Sequence, residues 1–397
     1  MKSEKNDARR LIALRFGLEA KSKALLNPSP PENPVGPVAQ RHTKDTKDNN
    51  MSFNVTVQPS GRSFSVNPDE ALLAAAIRQG IGLPYGCKDG ACGSCKCKMI
   101  EGTVSHGPHQ LKALSPEEEA NGFVLTCCGV PQSDVVLESR QVTDESAFPI
   151  KKMPVRVSSL TRLSSDVIGL RLQLPASDVF KYHAGQYVEF LLRDGDRRSY
   201  SMANAPHTQT ETPGLELHIR HMPGGKFTDQ VFSTMKEKDI QRIEGPYGSF
   251  FLREDSTKPM VLLASGTGFA PIKALIENLQ HKNIQRPAVL YWGGRRPSDL
   301  YMNDWVMARL AEMPLLRYVP VVSNALPEDN WTGRTGFVHQ AVLQDFPDLS
   351  GHQVYACGAP IVVDSAKADY TQLAGLPEEE FFADSFTTEA DKAKALA

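Results

Sequence analysis

The sequence has 397 residues, 41% of them hydrophobic and 23% charged, with a formal net charge of −2. That length exceeds what one hydrophobic core usually organises and argues for two or three domains. The near-neutral charge gives no overall electrostatic reason to bind nucleic acid, and no run approaches the roughly 18 uninterrupted apolar residues of a membrane span.

No apolar stretch follows the early charges, so no secretory leader is read. Of the seven cysteines, six fall between Cys87 and Cys128 and only Cys357 stands apart. Clustered thiols in a chain of this size suit a reducing compartment and metal binding better than disulfides, which predicts a cytoplasmic protein.

Residues 1–50 carry ten Lys/Arg against six Asp/Glu, then the runs NPSPPENPVGP and RHTKDTKDNN. Such a segment buries little apolar surface and is predicted to be a disordered extension, with one short helix candidate from Asp7 to Leu26. From Met51 the pattern changes. FNVTVQ alternates as a half-buried strand does, PSG turns, and RSFSV continues. PDEALLAAAIRQG reads as a helix with an acidic first turn and a terminal Gly80. CKCKMIEGTV and GFVLTCCGVPQSDVVLE add strand signals, making residues 51–143 a small α+β domain.

Within it stands Cys87-Lys-Asp-Gly-Ala-Cys92-Gly-Ser-Cys95, with further cysteines at Cys127 and Cys128. The C-x₄-C-x₂-C…C spacing is that of a plant-type [2Fe–2S] centre. Gly86, Gly90 and Gly93 let backbone N–H groups approach the sulfurs, and such contacts tune the potential. Four thiolates could also hold zinc, but zinc sites favour paired C-x₂-C knuckles. Cys97, two residues past Cys95 on a strand, is predicted to face the core as a small apolar residue. If the chain is extended at Cys127 and Cys128, their side chains alternate, so only one of the two reaches the cluster.

After the connector TDESAFPIKKMP, residues 149–255 hold the alternating strands VRVSSL, VIGLRLQL, QYVEFLL, RSYSMAN and LELHIRHM. Short strands at this spacing predict an antiparallel β-barrel. Arg198, Tyr200 and Ser201 lie on one of them. A flavin needs a planar aromatic, a polar group near its reactive nitrogen and cationic donors for phosphate, and these three could supply them. Downstream, Gly224 and Gly225 allow close backbone approach and Thr228 offers a hydroxyl to phosphate. EGPYGSF is read as a further turn. The residues by themselves leave FMN open beside FAD.

Residues 256–397 alternate strand and helix, which predicts an α/β domain with a parallel sheet. Gly266-Thr267-Gly268-Phe269-Ala270-Pro271 follows the strand MVLLAS and opens the helix IKALIENLQ. Glycines allow the turn, Pro271 suits a first helical turn, and the helix N-terminus offers donors to pyrophosphate. Cys357 and Gly358 follow the strand QVYA, where Cys357 by itself reads as a buried small residue at a strand end. GGRRPSDLY at the end of the second strand presents no obvious carboxylate for a ribose hydroxyl, and Arg295 and Arg296 could accept a 2′-phosphate. No internal repeat is visible.

Taken together, C-x₄-C-x₂-C, R-x-Y-S, G-T-G-x-A-P and C-G-x-P resemble the ferredoxin–NAD(P)H reductase superfamily fused to an N-terminal plant-type ferredoxin domain. The resemblance covers residues 52–390. It implies a β-grasp-like ferredoxin, an FAD-binding barrel and an NAD(P)-binding α/β domain. In that family the fourth-ligand segment reads L-x-C-Q-x-x-P-x-S-D, which implies Cys127 as the ligand, with Cys128 replacing the usual glutamine. By the same resemblance, Arg198 and Thr228 bind pyrophosphate, Tyr200 stacks on the flavin ring and Ser201 lies near its N5. Cys357 and Gly358 flank the nicotinamide, and Phe386 of EEEFFADSF covers the flavin unless it only packs in the core. NADH is favoured over NADPH because oxygenase reductases and the deoxysugar reductase of this layout use it.

Three such modules imply a circuit from NAD(P)H through FAD and the cluster to a protein electron acceptor, with no acid–base pair required. Two subgroups fit: CDP-6-deoxy-Δ3,4-glucoseen reductase, toward which LTCC and GLPEEEFFADSF point, and reductases of aromatic-ring oxygenases and phenol hydroxylases. A deoxysugar dehydrase or an oxygenase component is therefore the expected partner. A free flavin reductase and a non-catalytic scaffold protein are the readings from other classes, and the intact motif sets speak against the second.

Overall fold

The computed structural model describes residues 52–142, 148–176, 179–209 and 214–388. The 1–50 extension, its helix candidate and part of the connector at 143–147 lie outside the described residues. Three larger sheets follow one another along the chain.

The first module comprises β1 (Phe53–Gln58), β2 (Arg62–Val66), α1 (Leu72–Arg78), β3 (Lys96–Glu101), β4 (Val104–His106), α2 (Pro116–Ala120), β5 (Phe123–Leu125), β6 (Gly129–Pro131) and β7 (Val135–Glu138). Its main sheet runs β2-β1-β7-β3-β5, with β1 and β7 parallel and the other pairs antiparallel. Alternation decides the faces: Val55 and Val57 of β1 are buried, together with Leu72, Leu73, Ala75 and Ala76 of α1, in one core. This is the β-grasp-like α+β arrangement expected. The acidic residues lie just before α1 rather than in its first turn. There Glu70 holds the Arg78 guanidinium at 2.8 Å instead. Short α2 went unread, although Ser115 and Glu118 form a reciprocal capping box with Pro116 in the first turn.

The second module holds β8 (Lys151–Arg162), β9 (Val167–Gln173), β10 (Tyr187–Leu191), β11 (Arg197–Ser201), β12 (Gly214–Arg220), α3 (Lys226–Ser233) and β13 (Ile240–Tyr247). Every pair is antiparallel, in the order β11-β10-β13-β8-β9-β12. The sheet curls like a barrel, but its edges meet at a single Met202–Leu217 bridge instead of closing along a full ladder. Residues 244–247, read from sequence as a turn, are the end of β13, a central strand. Its few apolar positions, Ile240, Ile243 and Tyr247, left too weak an alternation to read.

The third module holds β14 (Met260–Ser265), α4 (Phe269–His281), β15 (Ala288–Gly294), α5 (Asn303–Glu312), β16 (Leu316–Val322), β17 (Arg334–Thr335), α6 (Val338–Asp345), β18 (Gln353–Gly358), α7 (Pro360–Leu373) and β19 (Phe381–Ser385). The order β17-β16-β15-β14-β18-β19 is parallel throughout. Strands buried on both faces read as continuous apolar runs, as MVLLAS does. The strand order reverses between β14 and β18, and the crevice beyond their C-terminal ends is where ligands bind in such sheets. Among the described residues, no helix is long and apolar enough to cross a membrane.

Candidate redox site

The cysteine loop lies between α1 and β3. Lys88, Gly90 and Gly93 adopt left-handed φ values of 64°, 74° and 75°, which fold the chain tightly around the sulfurs. Backbone N–H groups donate to sulfur: Cys87 to Cys92 Sγ at 3.4 Å, Cys92 to Cys87 Sγ at 3.3 Å, and Ser94 to Cys92 Sγ at 3.5 Å. Gly90 donates likewise to Cys127.

The sulfurs stand as two pairs, Cys87 with Cys92 and Cys95 with Cys127. No three His, Cys, Asp or Glu side chains converge on one ion position among the described residues. Four thiols at a loop rich in backbone N–H donors to sulfur fit a two-iron cluster. Hydrogen bonds from Cys128 and then Cys95 push the Cys127 thiol down to about 4, and one from Cys87 brings Cys92 down to about 7. Cys128 also points its thiol toward the Leu125 carbonyl at 4.0 Å. Cys97 is buried in the core, as its strand position predicts.

Ser201, Cys357 and Asp384 meet where the second and third modules join. Ser201 ends β11 and donates its hydroxyl to Asp384 Oδ2 at 2.8 Å. The parallel pairing of β18 and β19 sets Cys357 beside Asp384, with Cys357 Sγ 4.0 Å from the same oxygen. Burial pushes the Asp384 carboxyl up to about 6, with the Ser201 hydrogen bond opposing. Burial, then the neighbouring Asp384, pushes the Cys357 thiol up, so it stays protonated. Asp384 was missed in the sequence: its segment EEEFFADSF was read only for Phe386. Phe386 is half-buried against the third module's core, and its N–H donates to the Gly358 carbonyl at 2.8 Å.

Tyr200, one residue earlier, turns to the other side of β11. Its ring lies 5.3 Å from Phe227 and 5.8 Å from Phe190. Arg198 reaches Asp196 at 3.3 Å, and Lys226, at the start of α3, binds the same carboxylate at 2.7 Å. Two cations thus gather beside a helix N-terminus, a setting that a pyrophosphate would satisfy as the carboxylate does. Gly224 takes φ 81°, and Gly225 is the N-cap of α3. The Thr228 hydroxyl donates to the Met222 carbonyl at 2.9 Å, so its proton is engaged within the turn rather than presented outward. The backbone N–H groups of the first α3 turn have no intrahelical acceptor and are open to an anion.

Gly266 and Thr267 form a short 3₁₀ turn with Gly268 before α4, and Pro271 is the third residue of that helix. A Cβ on Gly268 would lie 2.1 Å from the Cys357 carbonyl oxygen, and one on Gly358 2.4 Å from that of Ser265. The two glycine turns are therefore packed backbone to backbone across the crevice. Arg220 of β12 also approaches here: a Cβ on Gly266 would lie 2.7 Å from its Nη1. No short motif marks Arg220 in the sequence.

At the tip of β15 two carboxylates gather on the arginine pair. Asp299 accepts from the N–H groups of Arg295 and Arg296 at 2.7 and 3.0 Å. Asp329, folded in from the β16–β17 loop, grips the Arg296 guanidinium with two bonds of 2.7 and 2.8 Å.

Residues 55–132 match the family described as 2Fe-2S iron-sulfur cluster binding domain, 154–252 the oxidoreductase FAD-binding domain, and 262–368 the oxidoreductase NAD-binding domain. The chain is 41% identical over 339 residues to the CDP-6-deoxy-L-threo-D-glycero-4-hexulose-3-dehydrase reductase of Yersinia pestis, covering 85% of this chain and 99% of that protein. It is 35% identical over 342 residues to reductase component 1 of a Comamonas terephthalate 1,2-dioxygenase, covering 85% and 98%. The crystal structure of a cytochrome P450 reductase from Amycolatopsis superposes with a TM-score of 0.67 at 32% identity, covering 85% and 99%. The chain thus belongs to the ferredoxin–NAD(P)H reductase family that joins a [2Fe–2S] domain to FAD- and NAD-binding domains, and it is an NAD(P)H-dependent electron-transfer reductase.

Proposed function

We propose that this reductase draws electrons from NADH and delivers them to a deoxysugar dehydrase. The observation that carries the hydride-transfer part is the meeting of Ser201, Asp384 and Cys357 at the crevice between the flavin and nucleotide sheets. FAD supplies the conversion of one hydride into two single electrons, and the cluster supplies an outlet for them. Cys87, Cys92, Cys95 and Cys127 hold the cluster. Arg198 binds the flavin pyrophosphate by its cation, Gly224 and Gly225 shape the turn beneath it, Thr228 serves through its backbone N–H rather than its hydroxyl, Tyr200 faces the ring, and Ser201 faces its reactive edge. Gly266, Thr267, Gly268, Pro271 and Gly358 shape the nicotinamide nucleotide turn, and Phe386 covers the flavin. Ser201 orients Asp384, whose buried carboxyl keeps its proton up to about pH 6. Cys357, neutral at the crevice wall, borders the transfer path.

NADH is the favoured donor because Asp329 pairs with Arg296, one of the two cations that could accept a 2′-phosphate. The dehydrase is favoured as acceptor by the 41% identity to the Yersinia dehydrase reductase, against 35% to the dioxygenase component. An oxygenase component is the second reading, supported by the likeness to the P450 reductase. We place the module limits at 51–143, 149–255 and 256–397, a division that the order of the three sheets supports, and the thiol-rich, disulfide-free described residues suit the cytoplasm.

Anaerobic titration with NADH and separately NADPH, followed by visible and EPR spectra, tests the circuit. Flavin bleaching and a rhombic reduced-cluster signal with NADH are expected. Mixing the reduced protein with a deoxysugar dehydrase or with an oxygenase component then ranks the acceptors, and faster cluster reoxidation by the oxygenase would reverse the choice.

A further inference from the structure

The cysteine loop is fastened to the flavin sheet on both sides of Cys87. Tyr85 donates its N–H to Ser249 Oγ at 2.8 Å, and the Ser249 hydroxyl donates to the Tyr85 carbonyl at 3.0 Å. The Tyr187 hydroxyl donates to the Gly86 carbonyl at 2.8 Å. Lys88 turns its ammonium into the seam, where it meets Glu189 at 2.8 Å and lies 3.4 Å from the centre of the Tyr247 ring. Tyr187 and Tyr247, both from the flavin module, are counted in the buried core of the cluster module.

Register gives these contacts their meaning. Tyr187 and Glu189 are two residues apart on β10, so they share a face. Across the ladder, Tyr187 pairs with Ser201 and Glu189 with Ser199, on the strand that carries Arg198, Tyr200 and Ser201. Tyr187 thus stands between the residue facing the flavin edge and the carbonyl that precedes Cys87. Lys88 holds a left-handed φ of 64°, a conformation that a side chain other than glycine adopts only when surrounding contacts hold it there.

We propose that Tyr187 and Lys88 are positioning residues for the flavin-to-cluster step, fixing the Cys87 loop on the β10–β11 edge so that the transfer runs within one rigid body. This rests on the proposed flavin site at β11. With both groups bound, the reduced flavin would supply single electrons and a ferric iron of the cluster would accept each in turn, while Tyr187 and Lys88 keep the Cys87 loop in place.

The test uses the full-length holoenzyme and the variants Tyr187→Phe, Lys88→Met, their combination, and Lys88→Arg. Hydrogen exchange of residues 84–95 and the EPR spectrum of the dithionite-reduced cluster are recorded beside stopped-flow bleaching of flavin and cluster. Iron content, flavin content and the rate of flavin bleaching by NADH are expected to stay at the unsubstituted level. In the double variant, exchange of the loop rises and cluster bleaching slows, each by about tenfold, as the loss of one or two hydrogen bonds implies. Lys88→Arg keeps both near the original values. Cluster bleaching at full speed in the double variant overturns the proposal, whether or not loop exchange rises. Failure of NADH to bleach flavin in the unsubstituted protein would instead overturn the circuit itself, and this proposal with it.

Discussion

At the scale of single residues, the fourth cluster ligand turns on neighbours rather than on sequence distance. Cys127 receives the Gly90 N–H and contacts both Cys128 and Cys95, while Cys128 also directs its thiol toward the Leu125 carbonyl. Cys127→Ser is therefore expected to abolish the visible absorbance of the cluster, and Cys128→Ser to keep it, in purified protein with iron assayed in parallel. The spacing from Cys87 to Cys95 was legible because three ligands fall in one tight loop. The fourth was legible only through the family pattern, since adjacent cysteines look alike until the loop folds over one of them. Asp384 was not legible at all, because a single aspartate in a tail acquires its character from burial. Its carboxyl is raised from 3.8 to about 6, so the folded state binds more protons than the unfolded one between those values. The Asp384 contribution to stability therefore falls as pH rises from about 4 to about 6, by roughly 3 kcal/mol in flavin-free protein, against the opposite trend of carboxyls held low such as Glu216. Asp384→Asn is expected to remove that decline. The difference between the urea midpoints of the two proteins across this pH range is the measurement.

At the scale of elements, turns and loops from different strands complete one another. The β14–α4 turn was legible as G-T-G-x-A-P, but its need for glycine at Gly268 comes from the β18–α7 turn packed against it. Gly268→Ala forces a methyl toward the Cys357 carbonyl. It is expected to destabilise the third module by about 1–3 kcal/mol in urea unfolding and to weaken NADH binding by at least about tenfold in flavin-bleaching titrations. The β15 tip shows the same dependence. Arg296 reads as a phosphate ligand until the β16–β17 loop brings Asp329 onto it. Asp329→Asn removes the two-bond partner of that guanidinium, leaving Glu328 at 3.6 Å, and should raise the NADPH-to-NADH ratio of kcat/KM by about tenfold, with binding of 2′,5′-ADP as a second readout. Strand β13 was misread because its central position in the sheet, not its own alternation, makes it a strand.

At the scale of the whole molecule, the modules share cores instead of merely adjoining. Tyr187 and Tyr247 enter the cluster module's core, and Ala184, Ala205, Phe250 and Leu252 enter that of the nucleotide module. A buried ionic group ties the last two together. Lys273 of α4 donates to the Ala203 carbonyl at 2.9 Å, and Glu277 accepts the Ala205 N–H at 2.8 Å. Helix α4 thereby grips the chain just beyond Ser201. The functions should still separate chemically. Removing iron with a chelator under reducing conditions is expected to abolish cytochrome c reduction through the cluster. NADH-driven ferricyanide reduction by the flavin should stay within about twofold, because the flavin and nucleotide sheets keep their own contacts.

The sequence by itself determined the three-module order, the iron–sulfur loop, the R-x-Y-S strand and the nucleotide turn. Each is a local pattern whose chemistry demands particular residues at fixed short spacing. Only the tertiary structure decided that Asp384 joins Ser201 and Cys357, that Asp329 silences Arg296, and that Lys88 and Tyr187 fasten the cluster loop to the flavin sheet. Those contacts span 183, 33, and 101 residues in their hydrogen-bonded pairs Ser201–Asp384, Arg296–Asp329 and Gly86–Tyr187. No periodicity links positions so far apart; sheet register and burial do.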